Sequence, residues 1–127
     1  ALGARRKERL EALATEIGAQ AAAIRMDVAR EADIIAGFDA AEAAFGPVDT
    51  VIANAGIDGA GIATTISEEE IEQTLAINLK GAILTAREGA KRMMAQGVER
   101  GRTHLAASTT AFAPLHLPAA YPASKTG

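Results

Sequence analysis

Apolar positions recur along this chain at two alternating periods. Leu10, Leu13 and Ile17 follow helical spacing, and Gly18 supplies a stop. "AQAAAIRMDV" reads as a short buried strand ending at Asp27. Ile34, Phe38, Ala41 and Phe45 then line one face of a second helix, which Gly46 and Pro47 end. "VDTVIANAG" predicts another apolar strand, closed by Asn54, Ala55 and Gly56. Ser67 and Glu70 have the spacing of a capping box, with more acids beside them at the positive end of the helix dipole. The helix they open carries Ile71, Leu75, Ala82 and Ala86 on one side and is predicted to run to about Gln96, before Gly97. "RTHLAAS" predicts one more strand, in spite of the polar Thr103 and His104.

The chain opens on what reads as a strand end, in "ALGARRKERL", and stops inside a helix that begins near Ala119. These ends predict a piece of a larger domain. Between them strands and helices alternate, which predicts an α/β domain with a parallel sheet and helices on both faces. In that architecture ligands bind at the carboxyl ends of the strands. Asp27, Asn54 and Ser108 all fall at such ends.

Composition narrows the classes. The net charge of -3 argues against a nucleic-acid binder, and Arg5, Arg6 and Lys7 form only a short basic run before Glu8. There are no cysteines, and the two histidines, His104 and His116, lack metal-ligand spacing, so no metal site is expected. No apolar run reaches the ~18 residues a membrane span needs. A soluble, cytoplasmic protein is the default expectation.

Candidate chemistry gathers late in the chain. Tyr121 is the only tyrosine, and Lys125 follows it by four positions in "YPASK", so the two share a helical face. Pro122 fits if it lies in the first turn, where its missing N–H is no loss. Asn78 falls on the apolar stripe of its helix, seven after Ile71 and three after Leu75. A buried amide there requires hydrogen-bond partners.

"DV" at 27–28, "NAG" at 54–56, "NLKG" at 78–81, Ser108 and "YPASK" at 121–125 occur in the order and spacing of the short-chain dehydrogenases/reductases, which the whole chain resembles. The resemblance implies a Rossmann-like doubly wound parallel sheet over residues 1–127. The family's first strand, glycine-rich phosphate loop, last strands and substrate-covering loop have no counterpart here. It also implies that these 127 residues alone neither bind dinucleotide tightly nor turn over substrate.

The resemblance assigns roles to residues. Tyr121 is the general acid toward a carbonyl oxygen, and its phenolate is the base in the oxidative direction. A free phenol ionises only near pH ~10, and a neighbouring ammonium favours the phenolate. Lys125 is placed to supply that charge and to bond the nicotinamide ribose hydroxyls. Ser108 holds the substrate oxygen, and Asn78 links the lysine to a water chain through its helix. Asp27, with the Val28 backbone, receives the adenine amino group, although Asp27 also suits the N-terminus of the next helix. Asn54, Ala55 and Gly56 bring backbone close to the cofactor.

In NAD-preferring relatives an acid at the end of the second family strand binds the ribose 2′-hydroxyl. Ala4 stands there, followed by Arg5, whose guanidinium suits a 2′-phosphate. NADP(H) is therefore favoured over NAD(H). "GIDGAGIA" at 56–63 imitates a phosphate loop, but no helix follows it directly and the next helix opens with acids, so it reads as an ordinary loop. His116 is a candidate for lining the substrate pocket. The implied activity is interconversion of a secondary alcohol and a ketone by a homodimer or homotetramer built on the helix from Glu68, a 3-oxoacyl thioester reductase being one plausible member. Alternatives are a non-catalytic dinucleotide-sensing protein of the same fold and a sugar-nucleotide epimerase or dehydratase.

Overall fold

The computed structural model describes residues 1–58, 61–111 and 119–126. Strands and helices alternate: β1 (Leu2–Ala4), α1 (Lys7–Ile17), β2 (Ala23–Arg25), α2 (Glu31–Phe45), β3 (Thr50–Ala53), α3 (Glu68–Leu75), a π-helical turn (Ala76–Lys80), α4 (Gly81–Ala95), β4 (Arg102–Leu105) and α5 (Ala120–Thr126). The α/β, Rossmann-like class expected from the sequence is the one observed. No helix among the described residues is long and apolar enough to cross a membrane.

The strands pair in parallel as β1 with β2 and β3 with β4, Ala4 facing Arg25 and Ala53 facing Leu105. These are two separate two-stranded sheets. A cleft of about 350 Å³ is lined by Gly3 and Met26 on one side and by Val51 and Ile52 on the other. The ladder is thus interrupted where the resemblance puts the family's central strand.

Local chemistry explains the boundaries. Ser67 and Glu70 form the expected reciprocal capping box at the start of α3. The backbone N–H of Ser67 donates to the Glu70 carboxylate, and this bond, with the one from the Ser67 hydroxyl, holds that carboxyl below its ordinary range. Gly18 and Gly46 follow α1 and α2 with φ of +89° and +80°, which side-chain-bearing residues rarely adopt.

The core lies where α2 and α4 cover β3. Ile34 and Phe38 of α2, Val51 of β3, Met93 of α4, Ile77 of the π turn and Val28 form one buried cluster. Two glycines let the long helix approach the sheets. A Cβ at Gly89 would meet the Val51 side chain at 2.7 Å, and one at Gly81 would lie 2.9 Å from the Val28 side chain and 3.0 Å from its carbonyl oxygen.

Two features depart from the hydrophobic pattern. The helix from Glu68 is one rod in sequence but is interrupted by a π turn, in which the Gly81 N–H reaches back to the Ala76 carbonyl. Its buried face runs through Thr74, Ile77, Asn78, Gly81, Thr85, Glu88 and Gly89. The expected stripe of Ile71, Leu75, Ala82 and Ala86 is exposed or half-buried. Close approach of backbones favours small side chains at the contact, so the best-packed face is not the most apolar one.

Candidate active site

β3 and β4 end side by side, and the segments that leave them, together with the first turns of α5, enclose a pocket of about 480 Å³. Asn54, Gly56, Ile57 and Asp58 line one side. Ala106, Ala107, Ser108 and Thr110 line another, and Tyr121 and Lys125 close it. α5 begins at Ala120, so Pro122 lies in its first turn, as expected. Tyr121 and Lys125 share one face, the lysine nitrogen 5.9 Å from the centre of the phenol ring. Lys125 Nζ donates to the Ala106 carbonyl at 2.8 Å. An ammonium has three N–H groups, and among the described residues this is the acceptor that one of them meets.

Asn78 does not line the pocket; it lies behind Gly56. It is buried, and the π turn holds it there. Single π turns inside α-helices are frequent at functional sites. Its Oδ1 accepts the Ile57 N–H at 2.8 Å. Its Nδ2 donates to the Ile57 carbonyl at 2.9 Å and to the Ser124 hydroxyl at 3.0 Å. Both amide hydrogens are therefore used, and one Oδ1 lone pair is left. The water chain expected from this residue can start only from that lone pair or from backbone carbonyls of its helix.

Ser108 is half-buried, and its hydroxyl is 2.8 Å from that of Thr110. The Thr110 N–H also donates to Ser108. These bonds orient the serine at the pocket wall that Tyr121 shares.

The residues expected to face a dinucleotide stand at the ends of the other strand pair as well as here. Arg5 follows β1 and is exposed. Asp27 lies two residues past β2, the Met26 N–H bonding the Ala4 carbonyl just before it. Asp27 Oδ1 accepts the Ala29 N–H at 3.0 Å, a bond in the turn ahead of α2, which starts only at Glu31. Asp33 accepts the Asp27 N–H and is flanked by Arg25 and Arg30. Val28 is buried against Gly81, one turn from Asn78, so the long helix ties the two strand ends together.

A dinucleotide needs open floor between the lysine and the strand ends. Gly56 lies on that floor: a Cβ there would sit 3.4 Å from Asn78 Oδ1 and 3.8 Å from Lys125 Nζ, both ordinary contact distances. Asn54, Ala55 and Gly56 are all exposed at this edge. These residues fit a nicotinamide dinucleotide. His116 lies outside the described residues, as do Gly59 and Ala60 of the glycine-bearing loop; that loop leads into α3 only at Glu68.

Sequence reasoning missed Ser124, the Ile57 backbone and the Ala106 carbonyl. For Ser124 a signal existed. A buried asparagine must find partners, and a small hydroxyl one position before Lys125 was available.

The chain matches the short chain dehydrogenase family over residues 1–127 and belongs to it. It is 37% identical over 110 residues to a short-chain type dehydrogenase/reductase of Picea abies, covering 85% of this chain and 40% of that protein. It is 37% identical over 123 residues to D-threitol dehydrogenase of Mycolicibacterium smegmatis, covering 94% of this chain and 46% of the relative. Among solved structures it resembles the 3-ketoacyl-(acyl-carrier-protein) reductase of Brucella melitensis complexed with NADH. There the TM-score is 0.88 at 33% identity, over 98% of this chain and 52% of the other. The chain spans about half the length, or less, of these relatives.

Proposed function

We propose that the whole protein is an NADP(H)-dependent oxidoreductase that interconverts a secondary alcohol and a ketone. The observation that carries this reading is the convergence of Ser108, Tyr121 and Lys125 on one pocket, with Asn78 behind its floor. Family membership and a structural neighbour complexed with NADH support a nicotinamide dinucleotide. The 2′-phosphate preference rests on Arg5 following Ala4 where an acid would favour NAD.

In the reductive direction Ser108 donates a hydrogen bond to the substrate carbonyl oxygen and holds it beside Tyr121. The Tyr121 hydroxyl delivers its proton to that oxygen, leaving a phenolate. NADPH, when bound, would supply the hydride to the carbonyl carbon, so that with the Tyr121 proton the product is the neutral alcohol. In oxidation the phenolate takes the alcohol proton. Lys125 places positive charge beside the phenol ring, and its N–H groups not bonded to the Ala106 carbonyl would hold the ribose hydroxyls. Arg5 would hold the 2′-phosphate, Asp27 would receive the adenine amino group beside the Val28 backbone, and Asn54, Ala55 and Gly56 would line the cofactor edge.

The substrate is a small ketone or alcohol, and the Brucella neighbour makes a 3-oxoacyl thioester one class to try. The long helix from Glu68 leaves Ile71 and Ile83 exposed, which supports a homodimer or homotetramer of the whole protein.

The test is Tyr121→Phe in the whole protein, assayed for NADPH consumption against ketones and acetoacetyl-CoA. Loss of general acid catalysis lowers turnover by about 10²- to 10⁴-fold. Turnover at the wild-type rate would overturn the assignment. Arg5→Glu should raise the KM for NADPH and lower that for NADH.

A further inference from the structure

α5 reaches the rest of the molecule through a polar contact that the catalytic scheme does not use. Ser124 is 3% exposed, deeper than either Tyr121 or Lys125 on the same helix. Its hydroxyl accepts the second Asn78 amide hydrogen at 3.0 Å and donates its own to the Tyr121 carbonyl at 2.7 Å. It is thus the one described side chain that bonds both Asn78 and the tyrosine's own backbone.

We propose that Ser124 is a positioning residue for the Tyr121/Lys125 pair, setting the rotation of α5 against the asparagine in the π turn. This rests on the reading of Tyr121 as the acid/base. The physical case is one of constraint. The rotation of α5 about its own axis is set by what its described turns, Ala120–Thr126, touch. Lys125 is held at one end by the Ala106 carbonyl, and Ser124 holds the adjacent position from the other side. Asn78 in turn is held by both backbone groups of Ile57. The chain Ile57, Asn78, Ser124, Tyr121 therefore runs from the loop after β3 to the backbone that carries the phenol. Apolar packing does not fix a helix's rotation as narrowly as directional hydrogen bonds do. A carboxamide–hydroxyl bond at this place fixes where the phenol points.

The experiment uses Ser124→Ala, Ser124→Thr and Tyr121→Phe in the whole protein. For Ser124→Ala we expect kcat to fall by about tenfold, the loss of one hydrogen bond's worth of orientation. KM for the ketone and the Kd for NADPH should stay within about twofold, because no group that touches either is removed and Lys125 keeps its own bond to the Ala106 carbonyl. Ser124→Thr, which keeps the hydroxyl, should recover most of kcat. Amide exchange at Ile57, read with or without turnover, should quicken in Ser124→Ala, since its partner Asn78 loses an anchor. Exchange in α2 should not change. Ser124→Cys, with similar volume and a poor acceptor, gives the same readouts should Ser124→Ala fail to fold.

Unchanged kcat together with unchanged Ile57 exchange in folded Ser124→Ala would overturn the proposal. So would a lowered melting temperature with no separation of kcat from KM. If Tyr121→Phe turned over at the wild-type rate, the acid/base reading itself would fall, whatever Ser124 does.

Discussion

Two helix pairs hold polar groups inside this molecule, and they do so by opposite means. Between α2 and α4 the polar groups are ions. Arg92 lies over the Phe38 ring and reaches Glu88, Asp39 and Glu42, each at 2.7 Å. Its burial would lower its pKa, but the bonds to Glu88, Asp39 and Glu42 outweigh that and raise it above the ordinary arginine range. Between α3 with its π turn and α5 the polar groups are neutral: Thr74, Asn78 and Ser124. The Thr74 hydroxyl has no hydrogen-bond partner among the described residues. The ion cluster borders the apolar core and joins two helices to each other. The neutral network lies behind the pocket and sets direction rather than attachment. Charges attract over distance and tolerate small displacements. An amide–hydroxyl bond tolerates little, which suits groups that must aim.

The comparison can be broken at either end. The largest stability effect is expected from Arg92→Ala, which strands the buried Glu88 carboxylate and costs about 3–5 kcal/mol. Urea unfolding reads it, and adding Glu88→Leu should return much of the loss. Folded Arg92→Ala should keep its turnover. Asn78→Ala should cost less, about 1–3 kcal/mol for the Ile57 groups and Ser124 left unpaired. Its kcat should nevertheless fall in protein that is still folded. If Arg92→Ala reduced kcat and Asn78→Ala did not, the division into fastening and aiming would be reversed.

Gly89→Ala tests how tightly the fastened region is packed. The new methyl meets Val51, and the expected cost is about 1–3 kcal/mol without change in KM. The smallest effect belongs to the capping box. Ser67→Ala should cost about 1 kcal/mol. Because Glu70 has a lowered pKa, its contribution is present above the ordinary carboxyl value of 4.5 and is lost as pH falls through the lowered one. Acid titration of stability should show this component in the native protein and lack it in Glu70→Gln.

Much of the site was legible because it depends on short-range spacing. Tyr121 and Lys125 share a face in any helix, and Ser67 and Glu70 cap in any helix start. Asn78 was legible as a polar residue out of place on an apolar stripe. What was not legible depends on contacts distant in sequence. Ser124 and Asn78 are 46 positions apart. The face that the long helix buries was misread because hydrophobicity marks what prefers to leave water, while Gly81 and Gly89 mark where backbone must come close. The stripe in α1 shows the same limit: Leu13 and Ile17 form the expected helix yet are 42% and 50% exposed.

By itself the sequence determined the alternation of strands and helices, their caps and the residues at the strand ends, since these follow from local period, glycine and proline placement and side-chain chemistry. It also carried the family, through five short motifs in register. Only the tertiary structure decided the register in which the strands pair, that the long helix is broken by a π turn at Asn78, and that Ser124 joins that asparagine to the tyrosine-bearing helix. The π turn is a local bond from the Gly81 N–H to the Ala76 carbonyl, while the strand pairing and the Ser124–Asn78 bond join residues far apart in the chain. No periodicity records such a bond, because its partners are chosen by how the elements pack.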